Sequence, residues 1–142
     1  MRARNWRVAA ALAVVVVVAA GCGSGSDDAS GATTTVKGPG AGKTFQDQTG
    51  SDTVVVKAVD NDFQAQFVTV KQGAKVTFEN DGRNRHDVVP DDSKAFAEIP
   101  TDSFDPGESG TVTFSKPGEY GYYCSLHGTP TQGMYGVIKV EG

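Results

Sequence analysis

An all-β fold, a two-layer sandwich of seven to eight strands, is predicted for residues 52–142 by three observations. Short runs of β-branched and aromatic residues recur along this stretch. Gly-, Pro- and Asn-containing turn signals punctuate them. No part of the chain beyond its N-terminal segment sustains a helical apolar period.

The runs are taken in order. Thr53–Val59 is a β-branched run, and Phe67–Val70 is a second, closed by Gln72-Gly73. Lys75-Val-Thr-Phe-Glu79 alternates polar and apolar residues, the period of a half-buried strand, and Asn80-Asp81-Gly82 ends it. His86–Val89 stops at Pro90. Ser109–Phe114 precedes the Pro117-Gly118 turn, Glu119–Cys124 follows it, and Tyr135–Val140 is the last run. Residues 91–108 are the least strand-like, with a short helix expected near Ser93–Glu98. Candidate core residues are Val54, Val56, Phe63, Phe67, Val70, Val76, Phe78, Phe114, Tyr122, Val137 and Val140. At ~1.5–3 kcal/mol per fully buried large side chain they support one domain.

The N-terminus is of another kind. Arg2, Arg4 and Arg7 precede an unbroken apolar run from Val8 to Ala20, and Gly21-Cys22 follows. A basic start, a short apolar core and small residues form an export signal. The run of 13 residues is shorter than the ~20 that span a bilayer as a helix. Small residues leading into a cysteine resemble a bacterial lipobox, which implies cleavage after residue 21 and lipid on Cys22. Residues 22–51, rich in Gly, Ser, Thr and Asp, are expected to form a flexible tether. The domain would then sit on the outer face of the cell membrane.

Charge narrows the partners. The chain has 13 Lys and Arg against 17 Asp and Glu, and loss of the three N-terminal arginines leaves it near −7. An acidic surface argues against nucleic acid and anionic lipid surfaces. A single copy is expected, docking with partners that carry basic patches.

The chemistry-bearing residues are few and clustered. The chain has two histidines, His86 and His127. Cys124 lies three residues before His127, and Met134, the one methionine besides Met1, lies close behind. Thiolate and thioether are soft donors and imidazole is intermediate. Two His and one Cys with a weak axial Met form the blue-copper donor set. Such a set suits Cu(I) and Cu(II) alike, which reduces rearrangement when an electron arrives or leaves.

These residues stand in a pattern that resembles the plastocyanin-like cupredoxins. Pro117-Gly-Glu-Tyr120-Gly-Tyr-Tyr-Cys124 looks like the family's turn and strand into the cysteine. Cys124-Ser-Leu-His127 and Met134-Tyr-Gly136-Val-Ile138 match its C-terminal motif, and Phe78-Glu-Asn80 precedes His86 as in the family. The resemblance spans roughly residues 52–142. It implies a Greek-key sandwich and one copper ion cycling between Cu(I) and Cu(II), held by His86, Cys124, His127 and Met134. It also implies single-electron shuttling between redox proteins docking near His127, beside Leu126 and Pro130.

Two departures bear on this. Six residues separate His127 from Met134 where the family usually has four, so an ungapped count puts Gln132 at the axial position. Asp87 stands where plastocyanins tend to have Asn after the first His; a carboxylate there can accept bonds from a main-chain N–H or from Ser125. It is expected to lower the reduction potential. Enzymatic activity is not expected, because further copper ions would need histidines that the chain lacks. Copper storage or delivery is the alternative function.

Overall fold

The computed structural model describes residues 38–142. The expected export signal, Cys22 and the first part of the expected tether lie outside them. The described residues form two facing β-sheets. One holds five strands in the order β1-β4-β9-β8-β6: β1 (Gln46–Asp47), β4 (Phe67–Lys71), β9 (Gln132–Glu141), β8 (Gly118–Thr129) and β6 (Val89–Pro90). The other holds four, in the order β3-β2-β5-β7: β3 (Asp62–Gln64), β2 (Thr53–Val59), β5 (Lys75–Asn80) and β7 (Ser109–Thr113).

Alternation sets which residues face inward. Along β2, Val54, Val56 and Ala58 are buried while Val55 between them is exposed. Val76 and Phe78 of β5 and Val112 of β7 extend the same face. Val68 and Val70 of β4 and Ile138 and Val140 of β9 meet them from the other sheet. Tyr122 sits at the centre, edge-on to Phe63 and Phe78 with ring centroids 5.0 and 5.1 Å away. Its hydroxyl donates to the Gln66 carbonyl at 3.4 Å. Position 136 accepts only glycine beside it, because a Cβ would stand 2.3 Å from that hydroxyl.

Several elements differ from expectation. β1 and β3, of two and three residues, were too short to show a period and bring the strand number to nine. Ser93–Glu98 is irregular rather than helical, with a turn at 93–95: the Asp92 carbonyl and carboxylate accept from Ala95 N and Lys94 N. The nearest helical element is a single 3-10 turn at Thr101–Ser103. His86 and Asp87 lie in a loop, and Val88 makes only an isolated bridge with Ile99 before β6 begins.

The largest difference concerns residues 38–51, assigned to the tether. They run as a strap across the outer face of the five-stranded sheet. Gly40 N donates to the Glu119 carboxylate on β8 at 3.1 Å. The Lys43 ammonium donates to the Tyr135 hydroxyl of β9 at 2.7 Å and lies over the Phe67 and Tyr135 rings. Phe45 packs edge-on against Phe67, and β1 then pairs parallel to β4. Phe67, expected in the core, therefore points outward and is half-buried beneath this strap. Composition hid the segment because one aromatic and one cation make its contacts, with no apolar periodicity to reveal them. Phe45→Ala should lower the unfolding free energy by about 1–2 kcal/mol in urea titrations; an unchanged midpoint would show that the strap adds no stability.

Candidate metal centre

The site is built by an irregularity in the β8–β9 hairpin. Tyr123 pairs with Tyr135, and the next pair is Gly128 with Gly133. Cys124 to His127 thus occupy the space opposite Met134 alone, a bulge of four residues against one. His127 therefore sits within a bulged stretch of β8, not on a separate loop after it. Two glycines let the strands close beyond the bulge. Gly133 has φ +72° and stands where a Cβ would be 2.5 Å from the His127 carbonyl oxygen. A Cβ on Gly128 would meet Met134 N at 2.6 Å.

The bulge turns Cys124 fully inward and leaves His127 at the rim, half-buried. His86 arrives from the loop after β5 and is fully buried. Cys124 Sγ lies 3.6 Å from His86 Nδ1 and 3.5 Å from His127 Nδ1. The two imidazoles are edge-to-face with centroids 4.9 Å apart. Taking zinc sites as a guide, metal bonds of about 2.0 Å to N and about 2.3 Å to S at trigonal angles put N and S about 3.7 Å apart. The observed separations fit one first-row ion between three donors. One thiolate with two imidazoles selects copper over hard cations.

Met134 is fully buried directly opposite the bulge. Gln132 is exposed, paired with Thr129 at the hairpin end. Of the two candidates for the axial position, Met134 is thus enclosed and Gln132 faces solvent.

Asp87 ties the two ligand segments together. It is almost fully buried, and its carboxylate accepts from Ser125 N at 2.7 Å, Ser125 Oγ at 2.5 Å and Thr101 Oγ1 at 3.2 Å. Both bonds expected from sequence are present. Asn80, whose role the sequence did not disclose, is also buried. Its amide donates to the Asn84 and Phe104 carbonyls, each at 2.8 Å, and its Oδ1 accepts from Gly82 N at 3.2 Å. Its place at the end of a strand before a ligand loop was the available signal.

Burial governs the titration of the centre. Burial pushes the Cys124 thiol up, and the main-chain N–H groups of Asp87 and Leu126 oppose this. His86 is held below its ordinary value of 6.5, first by burial and then by the charge of His127. The Asp60 main chain and the Asp87 and Asp60 carboxylates oppose that shift, although His86 Nε2 forms no hydrogen bond of good geometry.

A mononuclear soft-metal centre in a two-sheet β-sandwich is the class these features define. Residues 51–141 match the model of the copper binding proteins of the plastocyanin/azurin family, and the chain belongs to that family. It is similar to chloroplastic plastocyanin from Tetradesmus obliquus, at 35% identity over 86 residues covering 56% of this chain and 58% of that protein. Plastocyanin from Mercurialis perennis is 34% identical over 101 residues, covering 65% of this chain and 95% of that one. Against three of the chloroplastic plastocyanins this chain spans only 50%, 54% and 58% of their length. Among solved structures, a Cu(I) amicyanin variant is 25% identical with a TM-score of 0.53, covering 66% of this chain and 87% of its own. The copper-containing nitrite reductase of Thermus scotoductus aligns at 32% identity and a TM-score of 0.50, covering 63% of this chain but 22% of the reductase.

The depressed His86 sets an acid limit for the metal-free protein. Just below pH 6.5 the unfolded chain binds more protons than the folded one. The stability carried by neutral His86 is full above that pH and is lost as pH falls through the lower folded value. The lowered carboxylates of Asp47, Asp52 and Asp105 act only below 3.8, in a separate window. The metal-free Tm should therefore begin to fall below pH 6.5, and His86→Phe should flatten that part of the curve.

Proposed function

We propose that this chain is a one-electron carrier that holds a single copper ion between His86 Nδ1, Cys124 Sγ and His127 Nδ1, with Met134 as the weak axial donor. The observation that carries the reading is the fully buried Cys124 thiol, 3.5–3.6 Å from two imidazole nitrogens in a preformed pocket. Copper supplies a one-electron couple there, and the thiolate provides strong covalent coupling to it. The protein's part is to hold the donors still. Cys124, His86 and Met134 are enclosed by the sandwich, so water is kept from the site. A rigid donor set changes little between oxidation states, which favours rapid electron exchange.

His127 is the exit to the surface. Its ring is half-buried, its neighbour Leu126 is 53% exposed, and Pro130 is exposed nearby. An exposed leucine beside a metal-ligating ring fits a transient docking patch for redox proteins. Three surface hollows are lined by residues of 91–121 together with Pro39, away from the proposed ligands. With His86 and His127 both committed to one ion, no imidazole remains for a second. That shortage favours a carrier over an enzyme that needs further copper ions. In this reading the domain works on the outer face of the cell membrane, linked to it by lipid on Cys22.

The experiment is reconstitution of the full chain with Cu(II), followed by visible absorption, EPR and voltammetry. An intense band near ~600 nm with narrow copper hyperfine splitting and a reversible one-electron wave is expected. Cys124→Ala should abolish the band; a colourless wild-type protein would refute the reading. Met134→Leu should change the spectrum and raise the potential, whereas Gln132→Leu should leave both unchanged. The reverse result would move the axial role to Gln132. Asp87→Asn should raise the potential by removing a buried negative charge that favours Cu(II); a fall would overturn that assignment.

A further inference from the structure

His86 is the one proposed ligand that no ladder positions. It lies six residues past the end of β5, in a stretch without regular structure between β5 and β6. A loop of this kind has many conformations unless other contacts remove them. Many of the contacts that do so come from Ile99–Glu108, a segment that carries no proposed ligand.

The bonds are numerous and converge. Val88 and Ile99 exchange both main-chain bonds, at 2.9 and 3.1 Å. Thr101 Oγ1 donates to the Asp87 carboxylate. The Phe104 carbonyl accepts from His86 N, at a long 3.4 Å, and from Asn80 Nδ2 at 2.8 Å. Arg85 makes a two-point ion pair with Asp105 at 2.5 and 2.9 Å. Gly107 N donates to the Asn80 carbonyl and Asn80 N to that of Glu108, at 2.8 and 2.9 Å. Phe104 itself is fully buried in the core, so the segment is pegged to the sandwich independently of these bonds.

The geometry points to Ile99–Glu108 as a brace that sets the separation of His86 from Cys124, with Asn80 and Thr101 as its positioning residues. Asn80 joins the brace to the His86 loop through the Phe104 carbonyl. Thr101 joins it to the Cys124 bulge, because the carboxylate it donates to also holds Ser125 N and Oγ. His86 and Cys124, 38 residues apart, are thereby referenced to one fixed segment. A site held in this way forfeits little conformational freedom when a metal binds, which raises affinity. This inference rests on the copper reading above.

The test uses Thr101→Val, which keeps the side-chain shape and removes the donor, and Asn80→Ala. Thr111→Val is the control: it removes an exposed hydroxyl paired with Thr77 on the outside of the other sheet. Copper affinity is read by competition with a chelator, and amide hydrogen exchange at His86 and Ser125 is read in the metal-free protein. Thr101→Val should weaken copper binding about tenfold, and Asn80→Ala by at least as much. Both should alter the visible spectrum and speed exchange at those two amides more than in the core strands. Thr111→Val should do none of this. If wild type takes up copper as a blue centre and Thr101→Val matches it in affinity, spectrum and local exchange, the brace is refuted while the copper reading stands. A wild-type chain that forms no blue centre refutes the copper reading instead. Should Asn80→Ala fail to fold, Thr101→Val alone decides.

Discussion

The rest of the metal centre depends on the four-against-one bulge between β8 and β9. A regular hairpin would alternate Cys124, Ser125, Leu126 and His127 across the sheet. Cys124 and His127 would then face opposite sides. The bulge breaks that period and brings both toward one point, opposite Met134. The paired strands before it and the glycine-permitted closure after it confine those four residues at both ends. The donors of one hairpin are thus placed by backbone pairing, the most rigid device the fold has.

Burial is the second constraint, and it keeps the metal-free centre neutral. A buried thiol resists ionisation and a buried imidazole resists protonation, so the centre is most comfortable neutral. A cation reverses this for the thiol, since a coordinating metal deprotonates it outright. Asp87 is the buried group that does not need the metal. Three donors satisfy its carboxylate, and two of them belong to Ser125, next to the cysteine. An unpaired carboxylate there would cost several kcal/mol. Its full set of partners makes it a clasp across the His86 loop and the Cys124 bulge.

The strap formed by residues 38–51 adds a third layer that neither sheet requires for its own pairing. It covers Phe67 and Tyr135, which otherwise present aromatic faces to solvent on the outer side of the five-stranded sheet. β1 also extends the sheet beyond β4, shielding an edge whose free main-chain groups invite pairing with other chains. The strap crosses β8 at Glu119, well along the strand from Cys124, so it leaves the half-exposed ring of His127 uncovered.

Much of this was readable in the chain itself, because it rests on local pattern and scarcity. Alternation in Lys75–Glu79 and the β-branched run at Thr53–Val59 indicate strands wherever they end up. Two histidines, with one cysteine and one methionine among residues 38–142, leave few ways to build a soft-metal site. What the linear order could not reveal are relations between distant residues. Phe67 reads as core until Phe45 is seen to cover it from outside. An ungapped count favours Gln132 over Met134 for the axial position, and only burial separates them: two residues apart on one strand they share a face, but Met134 is enclosed by the sandwich and Gln132 stands at the exposed hairpin end. Asn80 offers only its place at a strand end before a ligand loop and Thr101 no signal at all; their role exists because the fold brings residues 80–88, 99–108 and 124–127 to one place. Composition and spacing named the candidate donors, and tertiary packing decided the geometry that brings His86, Cys124 and His127 together, because donor separations depend on contacts between segments far apart in sequence.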